Sequence, residues 1–223
     1  MRKPQASRRT VLRGAVMLGV GTAVGGGALF TTGIAHAEVP TPEIMDCDGW
    51  GAKEPSGELN QLTDNPNKIL VHHTQSANVD DTSQQAAIDI AREIQHWHMD
   101  ENGWSDSGQH FTISRGGYVL EGRHTSLKHL TDGSGMVQGA HAPGQNTSAI
   151  GIENQGTYFE VEPPAELWTS LVNFCAYTCQ QYGIAATEIY GHRDYVDTDC
   201  PGDVLYNKIP QLREEVQKVL DGS

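Results

Sequence analysis

Lys68-Ile69-Leu70-Val71-His72-His73-Thr74 is a β-branched and aliphatic run closed by two histidines, and it reads as a short buried strand. Around it the chain alternates. Ahead, residues 38–67 hold Pro40, Pro42, Pro55 and Pro66 among several Gly and Asn, the signature of an irregular arm. Behind, Asp81-Thr82-Ser83 can cap a helix to about Met99, with Ile88, Ala91, Ile94 and Trp97 at helical spacing and Asn102-Gly103 as a stop. Phe111 to Ser114 and Tyr118 to Glu121 form a hairpin pattern turning at Gly116-Gly117. Ser126 to Gln145, rich in Gly and polar residues, reads mostly as loop. Ala149 to Asn154 reads as a strand, Pro164 to Tyr182 as a helix, Ile189 to Gly191 as a strand end and Asp203 to Leu220 as a last amphipathic helix. Strands alternating with helices predict an α/β layered domain.

The N-terminus reads as an address. Ser7-Arg8-Arg9-Thr10-Val11-Leu12-Arg13 is a twin-arginine pattern, followed by an apolar run from Gly14 to Ile34 and the A-x-A box Ala35-His36-Ala37. The run is nearly long enough to span a bilayer, but its Gly and Thr content and the cleavage box predict removal rather than anchoring. Residues 1–37 are therefore expected to be a signal peptide, 38–67 an arm and 68–223 the main folded domain. The mature chain is expected to be secreted, free outside the cell or associated with its wall, without a stable membrane anchor. Loss of five basic residues with that segment moves the net charge from −13 to −18. Such a surface excludes nucleic acid, whose phosphates demand a basic footprint. Four cysteines remain, Cys47, Cys175, Cys179 and Cys200. Export permits a disulfide among the first three, and spacing does not decide it.

The chemistry concentrates in His192-Arg193-Asp194-Tyr195-Val196-Asp197-Thr198-Asp199-Cys200-Pro201-Gly202. A histidine and a cysteine eight residues apart, with one histidine of the strand, offer the ligand count of a catalytic zinc site; the alternative is a helix-start cysteine with an unrelated surface histidine. Successive strand residues point to opposite faces, so His72 and His73 cannot both serve; spacing leaves either eligible. Cys200 precedes a helix start, where the dipole favours a thiolate. Glu153 ends a buried strand, where a bare carboxylate is costly; it is either the proton acceptor that zinc hydrolysis needs or half of a structural ion pair. His110 reads as a satisfied core histidine, His96 and His98 as surface or groove residues, and His141 as a loop residue able to reach a ligand.

These pieces resemble the zinc-dependent N-acetylmuramoyl-L-alanine amidases, which share a fold with peptidoglycan recognition proteins and phage T7 lysozyme. The resemblance rests on Gly49-Trp50-Gly51-Ala52, Ile69 to Thr74, and Gly103-Trp104-Ser105-Asp106-Ser107-Gly108-Gln109-His110-Phe111. It continues through Leu120-Glu121-Gly122-Arg123, Gly139-Ala140-His141-Ala142, Asn146 with Ala149 to Ile152, and Gly191 to Asp194 through Cys200-Pro201-Gly202. It implies a central mixed β-sheet flanked by helices in a single domain, and zinc at one end of a groove for a muramyl peptide. By motif, His72, His192 and Cys200 are the implied zinc ligands and Thr198 the group that steadies the oxyanion. Glu153 is the implied catalytic glutamate, and His141 and Asn146 are groove contacts. Gln109 stands where relatives usually carry a tyrosine near the zinc. Glutamine cannot titrate, so with Glu153 retained it is expected to position substrate.

The resemblance thus implies an exported peptidoglycan amidase that cleaves the bond between N-acetylmuramic acid and L-alanine. Two rivals are a peptidoglycan-binding module without hydrolysis, suggested by Gln109, and a hydrolase of another amide on the same scaffold.

Overall fold

The run at Lys68 forms β3 (Lys68–His73), with Ile69 to His73 all buried, in the computed structural model, which describes residues 38–223. The twin-arginine segment and its cleavage box lie outside the described residues. Burial on both faces suits a strand with parallel neighbours. β7 (Ala149–Asn154) runs parallel along its full length, from Lys68 opposite Ala149 to His73 opposite Asn154. β8 (Ile189–Gly191) is parallel on the other side. Beyond β7 lie β4 (Phe111–Ile113), parallel to it, and β5 (Val119–Glu121), antiparallel to β4 through the expected turn. β1 (Ile44–Met45) closes that edge, giving the order β1-β5-β4-β7-β3-β8. The sheet is mixed and flanked by helices.

Alternation then sorts the side chains. Ile69, Val71, Ile150, Ile152, Phe111 and Ile113 belong to the main core, closed by α4 (Ala165–Tyr182) and α6 (Ile209–Asp221) through Leu167, Leu171, Phe174, Leu212 and Val216. The opposite face carries Leu70, His72, Thr112, Leu120 and Glu153 by register. Only its β5 end is covered by α2 (Gln84–His96), whose Ala87 and Ala91 pack with Leu120 and Trp50. His72, Thr112 and Glu153 thus share one face of the central strands, away from the main core.

Four expectations are corrected. The arm is not irregular throughout: it supplies β1, α1 (Cys47–Trp50) and β2 (Gln61–Leu62). Trp50, 1% exposed, donates from Nε1 to the Glu121 carbonyl at 2.8 Å, so a boundary at residue 68 cuts through packed structure. The stretch from Ser126 to Gln145 contains α3 (Ser126–Asp132) and β6 (Met136–Val137), the latter antiparallel to β2. α2 stops at His96 and passes into a π-helical turn, Trp97–Glu101. The expected last helix is two, α5 (Asp203–Asn207) and α6. Pro210 stands in the first turn of α6, where its missing N–H costs nothing, but it could not continue an unbroken helix.

All four cysteines are free thiols; Cys47, Cys175 and Cys179 are buried. No helix among the described residues is long and apolar enough to cross a membrane.

Candidate metal centre

His72 is the penultimate residue of β3, and β8, paired with β3 through Val71 and Gly191, hands the chain directly to His192. Two strand ends thus deliver two imidazoles side by side, with ring centroids 4.3 Å apart. A loop then returns Cys200 to the same point. The Arg193 amide donates to the Cys200 carbonyl at 3.0 Å, and the Cys200 amide donates to Thr198 Oγ1 at 3.2 Å. Cys200 Sγ comes to rest 3.8 Å from His72 Nδ1. Ligand atoms of His72, His192 and Cys200 all lie within 4.8 Å of one another.

Strand alternation separates the histidine pair. His73 faces away, its ring edge-on to Phe159 at 5.2 Å and its Nδ1 accepting from the Tyr158 amide at 3.4 Å.

The donor atoms fit a metal. His192 Nε2 is buried without a hydrogen-bond partner, an omission that folded proteins rarely tolerate. Burial holds His72 well below the ordinary imidazole range, which keeps the neutral, ligating form. Burial also pushes the Cys200 thiol up to about 12, so its thiolate needs a cation to compensate. Two imidazoles and a thiol are the borderline-soft set that zinc takes with a fourth position open.

Glu153 lies beside this cluster. Register places it directly opposite His72 on one side and Thr112 on the other. It is half-buried, and burial pushes its carboxyl up to about 8. No hydrogen bond or ion pair among the described residues reaches it. A structural ion pair is therefore absent, and what remains is an unclaimed carboxyl able to exchange a proton near neutral pH.

Of the three residues expected at the substrate, His141 and Gln109 are buried and Asn146 is half-buried. Buried His141 has both ring nitrogens on protein atoms, 3.0 Å from His72 Nε2 and 3.3 Å from the Ala149 carbonyl. Asn146 Oδ1 accepts from the amides of His141 and Ala142 at 2.8 and 2.9 Å, so its carboxamide oxygen shapes the loop. Gln109 is 1% exposed; its Nε2 donates to Thr112 Oγ1 at 2.9 Å and its Oε1 is buried without a partner.

His110 is the satisfied core histidine expected, with Nε2 on the Val137 carbonyl and Nδ1 accepting from the Gly151 amide. His96 is exposed, and half-buried His98 stacks on Trp104 at 4.6 Å.

Two features went unread in the sequence. Asp106 is fully buried and accepts from Gln95 Nε2, the Ser107 and His124 amides and the His124 ring. That carboxylate raises the His124 imidazole. An acid inside the small polar run Ser105-Asp106-Ser107 was the available signal. The second is a cavity of about 520 Å³ beyond the ends of β3 and β7. Gln75 and Gln155 line it on one side and Asp89, Ile90, Glu93 and Trp97 on the other. Gln75 holds φ at 57°, a left-handed conformation uncommon outside glycine.

A sequence profile described as N-acetylmuramoyl-L-alanine amidase matches residues 62–203. The chain is 29% identical to peptidoglycan-recognition protein LB of Drosophila melanogaster over 172 residues, 77% of this chain and 69% of that one. The solved wild-type Drosophila structure superposes with a TM-score of 0.66 at 28% identity, covering 76% of this chain and 93% of that. A tyrosine-to-phenylalanine mutant of the same fly protein is solved in complex with tracheal cytotoxin. N-acetylmuramoyl-L-alanine amidase of Homo sapiens is 30% identical over 179 residues, 79% of this chain and 29% of its own length. An N-acetylmuramoyl-L-alanine amidase from Clostridium intestinale superposes with a TM-score of 0.60 at 28% identity, covering 77% of this chain and 97% of that.

Proposed function

The chain belongs to the N-acetylmuramoyl-L-alanine amidase family, and on that premise we propose that it is an exported zinc hydrolase of peptidoglycan. Its substrate is the amide between N-acetylmuramic acid and the L-alanine of stem peptides. One observation carries the reading: His72, His192 and Cys200 converge, and the unpaired carboxyl of Glu153 stands opposite His72 in the same sheet. When bound, zinc supplies Lewis-acid polarisation of the amide carbonyl.

The remaining work falls to the protein. Glu153 accepts a proton from the attacking water and returns it to the leaving L-alanyl amine, a cycle suited to a carboxyl whose burial raises it toward neutrality. The Thr198 oxygen takes the Cys200 N–H, which leaves the hydroxyl hydrogen to donate to the developing oxyanion. The cavity between α2 and the ends of β3 and β7 offers room for the stem peptide. The solved fly complex with tracheal cytotoxin supports a muramyl peptide as the bound class, and the twin-arginine pattern supports export.

The decisive experiment is mass spectrometry of peptidoglycan fragments after incubation with the purified protein, with metal analysis of the same sample. Release of a free L-alanyl amine, with zinc bound, is the expected result. Full zinc occupancy with intact muramyl peptides would convert the reading to recognition without hydrolysis.

A further inference from the structure

The ring of His141 is held by atoms whose hydrogen-bonding sense is fixed. The Ala149 carbonyl, 3.3 Å from His141 Nε2, can only accept, so Nε2 carries the hydrogen and Nδ1 is bare. Bare Nδ1 lies 3.0 Å from His72 Nε2, which must then donate. With its hydrogen on Nε2, His72 keeps a lone pair on Nδ1, the nitrogen 3.8 Å from Cys200 Sγ. The reverse assignment would set the bare Nε2 of His141 against a carbonyl oxygen, acceptor against acceptor.

The seat of this ring is built for it. A Cβ on Gly151 would stand 2.6 Å from His141 Cγ, and one on Gly139 would stand 2.7 Å from its Cδ2. Asn146 clamps the backbone on either side of the residue. His110 packs edge-on at 5.4 Å, itself fixed by the Val137 carbonyl and the Gly151 amide. No swing toward the groove is open to the ring without breaking these contacts.

We propose that His141 is a positioning residue for the metal: it fixes the tautomer and ring orientation of His72 and so presents Nδ1 to the ion. The proposal rests on the zinc reading above. A histidine ligand whose other nitrogen is anchored in this way binds metal more tightly, and loss of the anchor typically weakens affinity about 10–100-fold.

The test compares His141→Leu with His141→Gln, near in size but differing in whether an acceptor remains for His72 Nε2. Zinc affinity is measured by competition with a chromophoric chelator, and ligand geometry by the absorption spectrum of the cobalt-substituted protein. His141→Leu should bind zinc roughly 10–100-fold more weakly with an altered cobalt spectrum, and His141→Gln should recover most of the loss. Equal affinity of the Leu variant and the unmodified protein, or equal loss in both variants, overturns the proposal. If His141→Leu does not fold, Gly151→Ala takes its place. It keeps the histidine but displaces the ring, and unchanged zinc affinity there is equally fatal. Absence of zinc binding by the unmodified chain is a separate outcome, which removes the metal reading itself.

Discussion

Glu153 is the residue on which the proposed chemistry turns, because its carboxyl has no hydrogen-bond or ion-pair partner among the described residues. Replacing it with glutamine keeps shape and removes the proton acceptor. Turnover of muramyl peptide by Glu153→Gln should fall by about 10²–10⁴-fold while zinc content stays unchanged; near-normal rates would assign the base elsewhere. The same carboxyl has a signature in the metal-free protein. Its folded pKa of about 8 lies above the ordinary carboxylate value, so the folded state binds this proton more tightly than the unfolded one. The associated stability is present below the unfolded pKa and is lost as pH rises toward 8. Thermal unfolding of the metal-free proteins should therefore find Glu153→Gln more stable than the parent at pH 8, with the gap closing at pH 4. A gap independent of pH would show that the carboxyl is not raised.

Among the elements, β3, β7 and α4 were legible from sequence because each carries an unbroken apolar pattern of the right period. The pieces that escaped have local reasons. α3 is short and starts from Thr125, at φ 72° and with no side-chain cap, so no start signal precedes it. β6 is two residues long and exists through its pairing with β2, more than seventy positions away. α2 is different: its cap could be read, and it resolves to Ser83, whose hydroxyl accepts from the Ala86 amide at 3.2 Å. Ser83→Ala should cost about 1 kcal/mol. That lowers the melting temperature by roughly 2–4 °C for a chain of this size, measurable by circular dichroism. No change would mean that packing of Ala87 and Ala91 alone sets the helix start.

At the scale of the whole molecule, the site is half written in the sequence. The proposed metal ligands could be read as residue types at a spacing, but alternation alone left His72 and His73 equal until the register of β3 against β7 and β8 separated them. The buried placements of His141 and Gln109 were not legible, because the glycines and hydrogen-bond partners that seat them come together only in the fold. That buried polar layer has a collective consequence. Burial depresses the imidazoles of His72 and His141 strongly, and those of His73, His98 and His110 to about 4. Stability from these groups is complete above the unfolded value near 6.5 and is lost as pH falls through the window from 6.5 to 4. Denaturant unfolding of the metal-free protein should show a midpoint that drops steeply across that interval. A flat midpoint between pH 7 and pH 4 would contradict the burial of the histidines.

The pairing of His72 with Glu153 across two parallel strands has an implication for how such a protein can change over time. Their separation is set by the inter-strand spacing of about 4.8 Å, which the backbone ladder enforces whatever the loops do. A slip of either strand by one residue would turn its own side chain into the apolar layer, so intermediate geometries are not available to drift. For the proposed reaction, the distance between the reacting groups and the preference for ligand would thereby be set by different parts of the chain. Under the proposed function, rim segments such as the one carrying Gln75 could be lengthened, shortened or rewritten without moving the sheet positions of His72 and Glu153.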